Sequence, residues 1–183
     1  MFDPTIFDNL KTVLEGEIYD RDLEGEILIT DRNDWIDLAT MARTFVVQFR
    51  IQDCDLSFAA IRLHADIKSL SAEILESTEV EPGCDIEISF SMYAASPQQD
   101  AMELMQTLSV LWQGRPSVRS EICFGVDDDG EIVESIENKP YLLKLILSFD
   151  RKINEGQLDD LTSLIQVVIA SLEACNRYAE MVE

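Results

Sequence analysis

The chain has 183 residues, with 36 acidic side chains against 14 basic ones and a formal net charge of -22. That balance excludes nucleic acid and an anionic bilayer as principal partners, because both are polyanions that require Lys and Arg neutralisation. Hydrophobic residues at 46% and charged residues at 27% place the chain among globular proteins rather than disordered ones.

The acid is spread along the chain. Residues 1–60 hold 13 acids and 5 bases, residues 61–120 hold 9 and 4, and residues 121–183 hold 14 and 5. Such a distribution describes a strongly solvated surface, not an acidic tail. Met1-Phe2-Asp3-Pro4 has neither a basic n-region nor an apolar h-region, and the longest apolar run, around Val167–Ala170, is too short to span a bilayer. A cytoplasmic protein without membrane contact is expected. Cys54, Cys84, Cys123 and Cys175 form no CxxC pair, and His64 is the only histidine. Four reduced thiols are expected, and neither a zinc site nor disulfides.

In chain order, the first helix opens at Asp3-Pro4, with Asp3 as N-cap and Pro4 at the first helical position. Ile6, Phe7, Leu10, Val13 and Leu14 supply its apolar stripe, and Gly16 marks its end. A strand follows over Glu24–Thr30, and Asp31–Asp34 reads as a turn. Trp35–Arg43 fits either a strand or a helix. Phe45–Ile51 and Phe58–His64 are strands joined by Gln52-Asp53-Cys54-Asp55. Asp66 caps a short helix whose inward face is Ile67, Leu70 and Ile74.

Pro82-Gly83 is a turn and Asp85–Tyr93 alternates as a strand. Ser96-Pro97-Gln98-Gln99 has the pattern of a capping box and opens a helix along Ala101, Leu104, Met105, Leu108, Leu111 and Trp112, which Gly114 ends. Beyond Pro116, strands are expected at Val118–Val126, Glu131–Ile136 and Tyr141–Phe149, with Asn138-Lys139-Pro140 as a turn. A long last helix starts near Glu155. Its stripe of Leu158, Leu161, Leu164, Ile165, Val168 and Leu172 is wider than one sheet face needs, so Leu158, Leu161, Ile165, Val168 and Leu172 are candidate contacts to a second protomer.

The pattern describes one α+β domain over residues 1–183: a mostly antiparallel sheet packed against three to four helices, with a long C-terminal helix. The segments 85–112 and 142–178 share strand–link–helix order and a few identities at an offset of 59, as in Ser89-Phe90 and Ser148-Phe149. That makes them a candidate pseudo-repeat.

No catalytic motif emerges. Asp127-Asp128-Asp129-Gly130-Glu131-Ile132 resembles a calcium loop, but Gly125 and Ile136 would occupy its first and last ligand positions, so a tight hairpin is expected. Asp20, Asp22, Glu24 and Glu26 alternate, and in an extended chain they would line one face, with Asp31, Asp34 and Asp37 following. This segment, 20–37, is where a divalent cation or a carboxylate acid–base pair would sit, against the alternative of a solvated edge strand. The seven glycines stand singly, without GxGxxG or GxxxxGK[ST], and no cofactor is expected. Arg151-Lys152, Arg115 and Arg119 read as ion-paired basic spots.

Residues 97–180 carry a helix closing on Leu111-Trp112, the strand Glu121-Ile122-Cys123-Phe124-Gly125-Val126, the Asp129-Gly130 turn, Ile132-Val133 and a long final helix. This order, helix, three-stranded meander, helix, resembles the fold of type III secretion chaperones and YbjN-type proteins. The resemblance implies a small, acidic, dimeric protein that binds other proteins through sheet and helix surfaces. The expected function is a non-catalytic protein-interaction or chaperone-like module, homodimeric through the last helix or an edge strand, with a protein partner, basic in character. The alternative is a metal-dependent enzyme or divalent-cation binder using segment 20–37.

Overall fold

Alternating apolar residues in six chain segments build one antiparallel sheet, seen in a computed structural model that describes residues 5–76, 81–133 and 141–182. Helix α1 (Thr5–Leu23) is followed by strands β1 (Ile27–Asp37), β2 (Ala42–Ile51) and β3 (Ser57–Ala65), then helix α2 (Ile67–Ile74) and strand β4 (Asp85–Ala94). Helix α3 (Pro97–Leu111) leads to β5 (Ser117–Cys123), the small pair β6 (Gly125–Val126) and β7 (Ile132–Val133), β8 (Tyr141–Ser148) and α4 (Asp160–Met181). The main sheet runs β1-β2-β3-β4-β8-β5, so β8 inserts between β4 and β5, the strands that α3 connects. This is the expected α+β architecture with a long C-terminal helix. The helix opening at Asp3-Pro4, the Asn138-Lys139-Pro140 turn and the strand residues beyond Val133 lie outside the described residues.

Register assigns the two faces of the sheet. Phe45–Leu63–Ile86, Val47–Ile61–Ile88–Leu147 and Phe49–Ala59–Phe90–Leu145 are cross-strand rows on one face. All are buried in one core with Phe7, Leu10, Leu14 and Ile18 of α1, Ala101, Leu104 and Leu108 of α3, and Leu161, Ile165, Val168 and Leu172 of α4. The three long helices therefore cover the same face. Helix α4 lies over β2 to β4 between α1 and α3. Fully burying an aliphatic side chain stabilises by about 1.5–3 kcal/mol, so these rows dominate the energetics.

The candidate interface residues of α4 belong to this core. Ile165, Val168 and Leu172 are 0% exposed and Leu161 is 3% exposed, while Leu158 is partly buried against them. The wide stripe is used internally, because α4 must bury one flank on α1, one on α3 and its base on the sheet. It offers no face to a second copy.

Polar stitches fix α4 laterally. Trp112 Nε1 donates to Ser171 Oγ at 3.0 Å, and Ser171 donates on to the Val167 carbonyl at 2.7 Å. Ser57 Oγ donates to Asn176 Oδ1 at 2.6 Å within the core. Tyr178 OH donates to Asp100 Oδ1 at 2.9 Å, and Asp100 Oδ2 accepts from the Ser96 N–H. The capping box expected at Ser96 is replaced by this arrangement: the Ser96 side chain makes no cap, and Asp100, not Gln99, reaches back.

Several boundaries differ from expectation. Helix α1 runs through Gly16 to Leu23, because burial of Ile18 outweighs the ~1 kcal/mol that a helix-interior glycine costs. Asp31–Asp34 lie inside β1, after a register shift between Ile29 and Asp31, and do not form a turn. Trp35 also continues β1, and the turn falls at 38–41, where the Asp37 carboxylate accepts from Ala39 N and Thr40 Oγ1. Gly25 and Met41 sit at positive φ at the two ends of this hairpin's first strand. Among the described residues of 97–180, β6 and β7 pair with each other and β5 pairs with β8 in the main sheet, in place of the expected three-stranded meander. The two strand–helix units also differ, with a link of Ala95-Ser96 in one and residues 149–159 in the other.

Asp66 caps α2 as expected, accepting from Ser69 N at 2.9 Å and from Lys152 Nζ at 3.0 Å. However, Leu70 alone of the predicted inward face is buried; Ile67 and Ile74 are 49% and 64% exposed. Partial burial pushes the Asp66 carboxyl up, but the Ser69 amide and the Lys152 ammonium outweigh it and hold it at about 2. A carboxylate with a depressed folded pKa contributes stability that is present above its unfolded value near 4 and lost as pH falls toward 2. Urea melts of wild type and Asp66→Asn should therefore converge between about pH 4 and pH 2, with the variant less stable by about 1 kcal/mol at neutral pH. In the core, Leu172→Ala should cost about 2–5 kcal/mol in the same assay without altering the mass in solution.

Candidate functional site

The carboxylate ladder that an extended chain would make of Asp20, Asp22, Glu24 and Glu26 does not form. Asp20 and Asp22 lie in the last turn of α1, Glu24 follows it, and Glu26 precedes β1, so the helix geometry sends them in different directions. Asp22 Oδ1 accepts from Ile29 N at 3.0 Å, and Glu26 pairs with Arg21 at 2.9 Å. Both are thereby committed to the α1–β1 junction. Among the described residues no group of three or more His, Cys, Asp or Glu side chains is placed to hold a metal ion.

The rest of the segment is structural. Asp34, on the helix side of β1, accepts from Arg43 Nε and Nη2 at 3.1 and 3.0 Å and pairs with Lys11 at 2.9 Å. Burial pushes its carboxyl up, but Arg43 and Lys11 prevail and hold it below the ordinary carboxylate range. Arg43 also reaches Asp8 at 2.7 Å, and Glu15 pairs with Lys11 and Arg32. The cations of Lys11 and Arg32 stand 5.4 and 5.9 Å from the Phe45 ring, and Arg43 stands 4.6 Å from that of Phe7. This network clamps α1 to the charged end of the β1–β2 hairpin. Its members neutralise one another, which leaves no spare general acid or base.

Two of the thiols, Cys84 and Cys175, are buried, while Cys54 is half-buried and Cys123 exposed. Burial pushes Cys84 and Cys175 up to about 12, which makes them poor nucleophiles. His64 Nδ1 lies 2.8 Å from Thr44 Oγ1, and burial followed by the Arg62 charge lowers its pKa. The segment Asp127–Gly130 forms a hairpin turn: Gly130 has φ 83°, Asp127 N donates to the Glu131 carbonyl, and Gly125 and Val126 face Val133 and Ile132. Lys152 pairs with Asp66 and Asp85, and Arg119 with Glu87 and Glu121.

Among the described residues, the helices leave the second face of the sheet uncovered. Its rows are Trp35–Thr44–His64–Asp85, Asn33–Val46–Arg62–Glu87–Ser148–Ser117 and Asp31–Gln48–Ala60–Ser89–Ile146–Arg119. Phe58, Ser91, Lys144 and Glu121 follow, then Tyr93, Leu142 and Cys123. No helix lies over these side chains among the described residues, yet most are half-buried by their neighbours, and Ile146 is 2% exposed. Across β2, β3, β4, β8 and β5 this face carries the bases Arg50, Arg62, Lys144 and Arg119 against the acids Asp85, Glu87 and Glu121. In a chain of net charge -22, it is a nearly balanced, partly apolar platform inside an acidic surround. Such a face suits contact with another macromolecule more than catalysis.

Sequence reasoning missed this platform. The signal that existed was the apolar residues on both faces of β2 and β8, with Val46, Leu142 and Ile146 out of phase with the core rows. Among the described residues no helix is long and apolar enough to cross a membrane. No protein-family model, curated protein or solved structure matches this chain. Because the carboxylates of segment 20–37 are paired apart, millimolar calcium or magnesium should leave the melting temperature where equal ionic strength of sodium chloride leaves it. A specific rise would mark a cation site through binding linkage.

Proposed function

We propose that the protein is a non-catalytic, chaperone-like interaction module of the cytoplasm that holds a protein partner on the open face of its sheet. The observation that carries this reading is the near-neutral, partly apolar platform around Val46, Phe58, Ala60 and Leu142 in a strongly acidic molecule. Apolar contact at the centre supplies affinity, and the acidic surround favours partners with basic flanks and speeds their encounter. The resemblance to type III secretion chaperones, which keeps the flanking helices but not the three-stranded meander, implies the same kind of binding through sheet and helix surfaces.

The test is capture of client polypeptides by the immobilised protein at low and high salt, comparing wild type with Val46→Asp and Phe58→Asp. Leu38→Asp at the hairpin tip, 81% exposed in wild type, is the control. Captured chains should be enriched in basic residues, fall away as salt rises, and be lost tenfold or more in the two face variants. Those losses correspond to about 1.4 kcal/mol or more at the platform. Equal capture by all four proteins would overturn the assignment.

A further inference from the structure

The sheet has two outer edges, and they are built differently. At β1 the register shifts between Ile29 and Asp31, and Arg32 and Asp34 point inward to salt bridges with α1. A bulge and inward charges are the standard means of preventing strand addition. At β5 neither device is present: Ser117 to Cys123 pair with β8 in unbroken register, and the strand has no proline within it. Its other side faces no strand among the described residues.

The sequence of β5 is self-complementary. Two copies laid antiparallel about a twofold axis through Ser120 place Arg119 opposite Glu121 of the second copy, and Glu121 opposite its Arg119. Both pairs fall on the open face of the sheet. On the helix face Val118 meets Ile122 of the second copy, twice. Directly opposed charges and apolar pairs are the unit of cross-strand stabilisation. In the single chain Arg119 and Glu121 are 61% and 50% exposed; Arg119 stands 3.6 Å from Glu121 and 3.7 Å from Glu87, ion pairs too long for hydrogen bonds that a directly facing carboxylate can displace. Beside the edge lie apolar side chains that the chain leaves exposed, Met102 of α3 at 74% and Phe124 at 55%. A seven-residue edge buries less than the roughly 800 Å² per partner of a stable interface, and these flanking groups supply more.

We propose that the protein forms a twofold-symmetric dimer through antiparallel pairing of β5 with β5 of a second copy. The product is one continuous sheet of twice the strands, with every helix on one side and the open platforms side by side on the other. This isologous contact closes on itself and ends further edge growth, because the outer edges that remain are the protected β1 strands. Its test is separable from client binding: Val46→Asp and Phe58→Asp, on β2 and β3 away from this edge, should leave the dimer intact, whereas Arg119 and Glu121 stand both at the edge and on the platform.

The experiment is sedimentation or light scattering across concentration, together with far-UV circular dichroism. The wild type should have twice the 20.8 kDa chain mass. Arg119→Glu and Glu121→Arg each put like charges opposite one another twice, and each should weaken association roughly tenfold to a hundredfold. Mixed one to one, the two variants should form a heterodimer, since the carboxylate introduced in one chain then faces the guanidinium introduced in the other. The double exchange in one chain should also restore dimerisation. Arg119→Gln, which cannot act through repulsion, should weaken association by roughly twofold to tenfold. A monomer up to about 1 mM, where even ~4 kcal/mol of contact registers, would overturn the proposal. So would a dimer indifferent to both charge reversals, or a mixture that stays monomeric.

Discussion

The structure depends on one-sided coverage of its sheet by helices, with α4 across the middle. Helix α4 touches β2, β3 and β4 beneath it, α1 on one flank and α3 on the other. The side chains it turns to these neighbours are therefore mostly apolar, and the polar groups among them, Ser171, Asn176 and Tyr178, all bond to neighbouring elements. Without α4 neither α1 nor α3 would have a full set of core contacts, because each meets the sheet only toward one side.

That arrangement determines what remains outside. A sheet buried on one face shows the other to its surroundings unless a further layer covers it. Here the uncovered face differs in character from the rest of the molecule. Of the chain's 14 basic residues, eight stand at joints of the fold and on this face. Lys11, Arg32 and Arg43 tie α1 to the first hairpin, Lys152 secures the capping carboxylate of α2, and Arg50, Arg62, Lys144 and Arg119 lie on the open sheet. Asp100 has no cation beside it and is buried instead on Tyr178 OH and the Ser96 N–H. Among the described residues the charge is thus paired at the joints and nearly balanced on the platform.

Much of the fold was legible because burial leaves a period in the sequence. The strands at Phe45, Phe58 and Asp85 and the helices after Pro97 and Glu155 all show it. Failures fell where a local cue met a tertiary competitor. Gly16 reads as a stop, but Ile18 has a place in the core. Asp20 and Asp22 alternate like a strand, but they extend a helix already anchored by Leu10 and Leu14. Asp31 and Asp34 look like turn residues, yet Arg43 and Lys11 make a charged strand tolerable.

The net charge of -22 keeps its meaning and gains a location. The sequence by itself determined the large excess of acid and that the chain folds as α+β, and its local spacing carries no GxGxxG or GxxxxGK[ST] motif. Only the tertiary structure decided where the charge matters. Which carboxylates meet a cation, whether the α4 stripe is core or interface, and which sheet face lies bare all depend on residues far apart in the chain. Periodicity reports that a side chain is buried, and it is silent on what buries it.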